Sequence, residues 1–328
     1  MPVVKGVGQS GATPSKQDGL DKLLRQHLSV CQRIIAKHPR WNCQTYQYID
    51  MNAGCGWNDH VDCAGSPLVF LKAADAVKEL SYKASFIEIE PRNAQTLLAN
   101  IGGPSKSLEV CIADNKEELP VLVDNLPPRA IGLIYTDPNG VPDFDLLEEV
   151  SKNPKCATMD ILIRYTASAH KRNLHIKPER LLGCLGRVNK RYWMTREIEH
   201  GDRWQWTFLL GMNWGGMSSW KSQGFHWAHS DEGRNILEKL NYTNGEIAEL
   251  RQPKLAYRTY GEYLATPEFK AVRAVVFQRA GGKCERCHQR PPFDAHHLVY
   301  PEWGTVDVPE NLIAVCRECH CELHGKER

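Results

Sequence analysis

No stretch of the 328-residue chain is apolar over the length of a membrane-spanning helix. The chain also opens without a charged-then-apolar leader. A net charge of only +2 is too weak to mark a uniformly basic nucleic-acid binder, so any phosphate contact must come from local clusters. Of twelve cysteines, four sit in two close pairs, and the other eight are scattered without paired spacing. That scatter fits a reducing cytosol better than a secreted disulfide framework. These absences lead us to expect a soluble, cytoplasmic protein with no membrane partner. With 42% hydrophobic and 24% charged residues, the composition is that of an ordinary globular protein, long enough for two domains.

What is present concentrates at the C-terminal end. Cys284 and Cys287 form one Cys-x-x-Cys pair, and Cys316 and Cys319 form a second. Four thiolates supplied as two close pairs are what a closed tetrahedral structural zinc site needs, because each pair chelates through one tight turn. Between and after the pairs lie His296-His297, Asn311, His320 and His324. The i, i+4 spacing of His320 and His324 puts both rings on one helix face. A zinc ribbon that binds nucleic acid or protein and cuts nothing is the plain alternative, but a ribbon has no need of these histidines and asparagine in this order. His288 and Cys321 fall outside the pattern, as a surface residue and a spare or packing thiol.

From Ala271 to His324 the order resembles the HNH nuclease family, the ββα-metal fold, in its four-cysteine version. The resemblance implies a hairpin carrying His296-His297, a loop carrying Asn311 and a helix carrying His320 and His324. It further implies that His296, His320 and His324 hold a catalytic divalent cation, while zinc in the thiolate cage is structural. Magnesium or manganese is the expected catalytic cation, with zinc or nickel as alternatives. His297 would be the general base that deprotonates a water, and Asn311 would hold the loop and the His297 ring.

Earlier in the chain, residues 1–18 are rich in Gly, Ser, Pro and Thr without periodicity and are expected to form a flexible arm. From Gly19, Leu20, Leu23, Leu24, Leu28, Val30 and Ile34 mark the apolar side of a helix, with His27 and His38 expected as ordinary surface histidines. Tyr46 to Asp50 then predicts a strand that runs into Met51-Asn52-Ala53-Gly54-Cys55-Gly56, where two glycines permit close backbone approach to a ligand. An ordinary turn explains a glycine pair equally well. Three more strands follow, each delivering an acid: Ala84 to Glu88, Leu108 to Asp114, and Ala130 to Asp137. An acid at the tip of the second strand is where a Rossmann-like fold grips ribose hydroxyls, and strands alternating with helices predict a parallel sheet.

Four strand-then-acid units over roughly Gln44 to Trp214 resemble a class I S-adenosylmethionine-dependent methyltransferase, and more narrowly the three-Cys-motif partner family. By that resemblance Asp50, Asn52, Gly54 and Gly56 surround the methionine end of S-adenosylmethionine, Glu88 takes the ribose and Asp114 the adenine amino group. Asp137-Pro138-Asn139-Gly140 stands where amino-methylating enzymes carry Asp-Pro-Pro-aromatic, and Asp137 would polarise the target amine. Asn139 and Gly140 depart from that pattern. A nucleotide-binding domain without transfer activity is the alternative. Two basic clusters mixed with amides and aromatics, His170 to Asn173 and Arg187 to Trp193, suit phosphate contact and base stacking, or a solvated face with core aromatics.

The expected architecture is α/β: a Rossmann-like methyltransferase sheet over residues 19–240, a linker over 241–265, and a small zinc-stapled ββα-metal domain over 266–328. The expected function is metal-dependent DNA endonuclease action, with DNA favoured over RNA, in restriction-modification or phage–host conflict. A homodimer stays open. The alternative is a nucleic-acid methyltransferase whose zinc module only delivers it to substrate, and a third reading is a binding protein with both domains inert.

Overall fold

A computed structural model describes residues 13–40, 44–59, 61–174, 178–200, 205–214, 218–240, 260–298 and 307–324. They belong to two compact units, Met1–Gly245 and Glu246–Arg328.

Helix α1 (Thr13–Lys37) opens the first unit six residues before the expected start at Gly19. Residues 13–18 are therefore helical and not part of an arm; residues 1–12 lie outside the described residues. Pro14 is tolerated in the first turn, whose N–H groups need no helical partner, and Lys16 pairs with Asp137, as described below. Leu20, Leu23, Leu24 and Leu28 are all buried against one face of the sheet, each worth roughly 1.5–3 kcal/mol in removed apolar surface.

The sheet is built from β1 (Tyr46–Asp50), β4 (Tyr82–Glu88), β5 (Leu108–Ile112), β6 (Gly132–Thr136), β7 (Met159–Thr166), β8 (Tyr192–Arg196), β9 (Glu199–His200), β10 (Gln205–Met212) and β11 (Phe225–Trp227). A separate two-stranded ribbon, β2 (Trp57–Asn58) and β3 (Cys63–Ala64), follows the glycine turn. The path across the sheet is β11-β8-β10-β7-β6-β1-β4-β5, with β9 paired to β10. Strands β5, β4, β1, β6 and β7 are parallel, the 3-2-1-4-5 order of a doubly wound sheet. β10 enters antiparallel between β7 and β8. β1 and β6 are buried along their whole length, which is why they appear as near-continuous apolar runs.

Helices cover both faces. On one, α1 and α2 (Ser66–Asp75) pack over Tyr46, Tyr48 and Phe86, and Tyr48 stacks on Phe70 at 3.9 Å between ring centres. On the other lie α4 (Asn115–Asp124), α5 (Phe144–Ser151) and α7 (Pro178–Arg187). Helices α3 (Pro91–Asn100), α6 (Ala167–Leu174), α8 (Ser218–Lys221) and α9 (Asp231–Lys239) complete the first unit's described helices. The chain leaves β1 toward β4 and β5, then returns to place β6 on its other side. The crevice at the carboxyl ends of β1 and β6 is therefore the topological switch point, where such sheets bind ligands.

In the second unit, α10 (Tyr260–Leu264) and α11 (Pro267–Arg279) precede two antiparallel strands, β12 (Asp294–His297) and β13 (Leu312–Val315), and a final helix α12 (Arg317–Leu323). Thr266 caps α11, its hydroxyl accepting from Phe269 N–H at 3.1 Å, as its place before Pro267 predicts. The expected linker over 241–265 is too long at its C-terminal end. Tyr263 is buried with Phe269, Val276, Ala295, Leu312 and Ala314 in the unit's core, so its aromatic ring draws residues 260–264 into the fold. Residues 241–259 lie outside the described residues.

His27 departs from expectation. It is buried, its ring nitrogens lying 2.8 Å from Tyr46 Oη and 3.0 Å from Asp160 Oδ2, with Cys31 Sγ at 3.7 Å. Burial alone would lower its pKa, but Cys31 and the Asp160 carboxylate outweigh it and raise the ring to about 10. A group raised in the folded state stabilises fully below its unfolded value of about 6.5 and loses that contribution as pH climbs through about 10. Equilibrium unfolding of the full chain from pH 6 to 10 should show this decline. Asp160→Asn should destabilise by about 3–5 kcal/mol at neutral pH and flatten the slope.

Candidate active site

Cys284 and Cys287 lie in the turn after α11, Cys316 caps α12, and Cys319 sits in its first turn. Their four sulfurs lie within 4.8 Å of one another, with Cys287 Sγ and Cys316 Sγ at 3.9 Å. Tetrahedral thiolate bonds of about 2.3 Å place sulfurs about 3.8 Å apart, so the donor set fits zinc. His288, next in the turn, is exposed and adopts φ +59°, the left-handed conformation that bends the chain back. Burial pushes the Cys284 thiol up, but backbone N–H groups of Cys287, Cys316 and Arg286 outweigh it and bring it to about 6. Cys319 goes the other way, to about 12, through burial and then its neighbouring thiols. Four thiolates this close repel one another, and a divalent cation removes that conflict.

His296 projects from β12 toward α12, where it meets His320 and His324. The nearest ring nitrogens of the three lie within 4.8 Å of one another, and the Nε2 atoms of His320 and His324 are 3.1 Å apart. That separation suits two imidazoles sharing one ion at about 2.1 Å from each. His296 is buried, His320 half-buried and His324 exposed. Burial, then the neighbouring histidines, lowers the His296 pKa, which favours the neutral ring that ligates metal. Three donors with His324 exposed to solvent contrast with the four-cysteine group, of which no member is exposed.

His297 follows His296 directly on β12. It is buried with Nε2 2.7 Å from Asp307 Oδ1. Tyr263 donates its hydroxyl to Asp307 Oδ2 at 2.6 Å. Asn311 lies in the turn Pro309–Asn311, and its carbonyl accepts from Leu298 N–H at 2.8 Å, closing the chain beside His297. Arg279 of α11 holds the same turn, donating to Pro309 O and Leu312 O while pairing with Glu285. Tyr263, Arg279 and Asp307 were not singled out from sequence; an acid four residues before Asn311 was the available signal.

In the first unit, the residues expected around S-adenosylmethionine do gather at the switch point. Asn52 Oδ1 accepts from Thr136 Oγ1 at 2.9 Å and Asp137 N–H at 3.2 Å, bridging β1 and β6. Glu88 accepts from Gly54 N–H and Glu90 N–H at 2.9 and 2.8 Å, so each oxygen keeps capacity for a further donor. Gly54 and Gly56 take φ +64° and +80°, and around the position of a Cβ on Gly54 there is open space. Asp114 caps α4, accepting from Lys116 N–H at 2.9 Å. Asp50 is fully buried, and burial raises its carboxyl to about 7 against the pull of Ser66 and Asn52. Its Oδ2 meets no partner in good hydrogen-bond geometry, the adjacent Ser66 hydroxyl included.

Asp137 is engaged differently from the expectation that it polarises an amine. Lys16 Nζ lies 2.7 Å from its Oδ2 and Arg164 Nη1 2.8 Å from its Oδ1. Burial would raise this carboxyl, but the two cations outweigh it and hold it down to about 2. The basic cluster at Arg187 to Trp193 is in large part committed internally, while Arg191 is exposed. Arg187 pairs with Asp145 and Glu148, Lys190 donates its buried amine to Cys156 O and Met159 O, and Trp193 lies in the core.

Asp137→Ala would strand two cations, and a loss of about 3–5 kcal/mol is expected in urea unfolding of the full chain. The wild-type contribution is present above the unfolded carboxyl value of about 3.9 and lost as pH falls through about 2. An unchanged midpoint would show that the ion triad does not hold in solution. For the second unit, Cys284→Ser should release zinc and expose residues 260–324 to rapid amide exchange, whereas Cys321→Ser should leave both unchanged.

No family model matches the chain. Over 83 residues it is 31% identical to the type IV methyl-directed restriction enzyme EcoKMcrA of Escherichia coli strain K12, a match covering 23% of this chain. The chain spans 29% of the length of that curated relative. Among solved structures it is similar to fibrillarin of Aeropyrum pernix with bound S-adenosyl-L-methionine, at 8% identity and TM-score 0.35, covering 51% of this chain and 66% of that one. A ribosomal RNA methylase of Streptococcus thermophilus overlaps at 11% identity and TM-score 0.34, covering 63% and 99%. Overlaps this loose leave the fold to be argued from strand order and direction, which make the first unit a Rossmann-like, methyltransferase-like α/β domain. The four-cysteine cluster follows it near the C-terminus.

Proposed function

We propose that the chain is a metal-dependent DNA endonuclease of the HNH type, joined to a methyltransferase-like domain that binds S-adenosylmethionine. The observation that carries the proposal is the convergence of His296, His320 and His324 on one point, apart from the four-cysteine cluster and next in sequence to the buried His297. A zinc-stapled binding module has no use for the second cluster. The partial likeness to a restriction enzyme favours DNA as substrate and a role in restriction-modification or phage–host conflict.

His296, His320 and His324 would hold the catalytic cation, which when bound supplies charge stabilisation at the scissile phosphate and the departing 3′ oxygen. His297 takes the proton from a water. The water oxygen then bonds to phosphorus while the bond to the 3′ oxygen breaks, leaving a 5′ phosphate and a 3′ oxygen that becomes a hydroxyl by taking a proton from solvent water. Asn311 steadies the end of the hairpin through its backbone bond to Leu298. Cys284, Cys287, Cys316 and Cys319 would hold zinc, which crosslinks a module too small to rely on its core alone.

For the first unit, open space at Gly54 and the remaining acceptor capacity of Glu88 support binding of a nucleoside cofactor at the switch point. Methyl transfer to a base amine draws less support, because both oxygens of Asp137 already pair with cations. The domain then serves to sense the cofactor or to recognise DNA.

Plasmid DNA incubated with magnesium or manganese, with and without S-adenosylmethionine, tests the reading. Wild type should cut, and His297→Ala, still zinc-loaded, should lose at least about 100-fold in rate. Equal cutting by both removes His297 as the base. Absence of cutting with either ion, together with methyl transfer to nucleic acid, would favour the methyltransferase alternative. Calorimetric titration with S-adenosylmethionine should show binding that Glu88→Ala weakens about tenfold or more, through loss of a charged acceptor.

A further inference from the structure

The nuclease reading assigns His297 a proton-transfer role but does not say what fixes its ring. We propose that Asp307, backed by Tyr263, is the positioning residue that sets the tautomer and orientation of His297; this inference rests on that reading. The relay is closed and buried. Tyr263 Oη donates to Asp307 Oδ2 at 2.6 Å, Asp307 N–H donates to Tyr263 Oη at 3.2 Å, and His297 Nε2 meets Asp307 Oδ1 at 2.7 Å. Asp307 and His297 are 3% and 4% exposed.

An ionised carboxylate only accepts hydrogen bonds. Both of its short contacts must then come from donors, which makes His297 the Nε2–H tautomer and its Nδ1 the basic nitrogen. Once that nitrogen takes a proton from water, the ring is positive and sits against the buried negative charge of Asp307. A carboxylate aligned on a catalytic imidazole performs the same two tasks in serine hydrolases, holding the tautomer and stabilising the imidazolium. Tyr263 has a mechanical part: its phenol occupies the other carboxylate oxygen, and its ring is packed edge-on to Phe269 at 5.3 Å between centres. Helix α10 thereby reaches the base through one hydrogen bond. Asn311, by contrast, contributes the backbone bond to Leu298 beyond the strand end.

The test uses the full zinc-loaded chain. Nitrogen-15 NMR of imidazole side chains reports the His297 tautomer independently of cutting; Nε2–H is expected, and Nδ1–H would overturn the proposal. In plasmid cleavage at saturating manganese, Asp307→Asn should lose at least about 100-fold in kcat with KM nearly unchanged, since an amide can present its N–H to the ring and impose the wrong tautomer. Asp307→Glu should recover part of the loss, and Tyr263→Phe should cost about tenfold or less. Zinc content and manganese affinity should stay at wild-type values in all three. Wild-type kcat in Asp307→Asn alongside an inactive His297→Ala would overturn the role of Asp307 and leave the nuclease reading standing. Full activity in His297→Ala would remove the reading and this inference together.

Discussion

The second unit depends on one constraint, the gathering of four cysteine sulfurs around a common centre. Its described core is small, with Tyr263, Phe269, Val276, Ala295, Leu312 and Ala314 at its heart, and the paired strands are four residues each. A two-stranded ribbon is marginal without further support. The thiolate cage ties the turn at Cys284 and Cys287 to the start of α12, where Cys316 and Cys319 lie. That tie sets the rotation of a helix only seven residues long. Because His320 follows Cys319 directly, fixing the cysteine fixes the histidine. The four-cysteine cluster is thus upstream of the geometry at His296, His320 and His324.

The first unit shows how a motif can be present while its groups are turned to internal work. Glu88 holds the glycine turn, Asp114 caps a helix, and Asp137 joins two cations. These uses are not equivalent in what they leave over. A carboxylate accepting one N–H per oxygen retains lone pairs for a ligand, so Glu88 stays available. Asp137 also accepts one side-chain donor per oxygen, but from the cations Lys16 and Arg164, which already pair its charge. An amine substrate contributes one hydrogen bond, worth about 1.5–3 kcal/mol to a charged group. That bond would be made to a carboxylate already paired with two cations.

What was legible in the sequence was what is local. The two Cys-x-x-Cys pairs, the i, i+4 histidines and the strand-to-acid transitions each occupy a few consecutive residues, and each lies where its spacing predicts. What escaped were partners brought together by tertiary structure. Lys16 and Asp137 are 121 residues apart, and Tyr263 and Asp307 are 44 apart. Composition also misled: the Gly, Ser and Pro content before Gly19 hides the helical start at Thr13, and Tyr263 sits in a segment that resembles a connector. His27 illustrates the limit of prior expectation. A histidine on a helix is ordinarily exposed, and only the fold brings Asp160 and Tyr46 within reach of it.

Two carboxylates, the partly buried Asp137 and the buried Asp307, define the contrast between the units. Asp137 lies between Lys16 and Arg164, so its charge is paired before any ligand arrives. Asp307 lies between a phenol and an imidazole, neither of which carries charge in the resting tautomer. Among the described residues, hydrogen bonds to Tyr263 and His297 hold its carboxylate. On the proposed nuclease reading, a buried carboxylate in a medium where charges interact more strongly than in water would lower the energy of the state in which His297 has taken a proton from water, which is what proton abstraction requires.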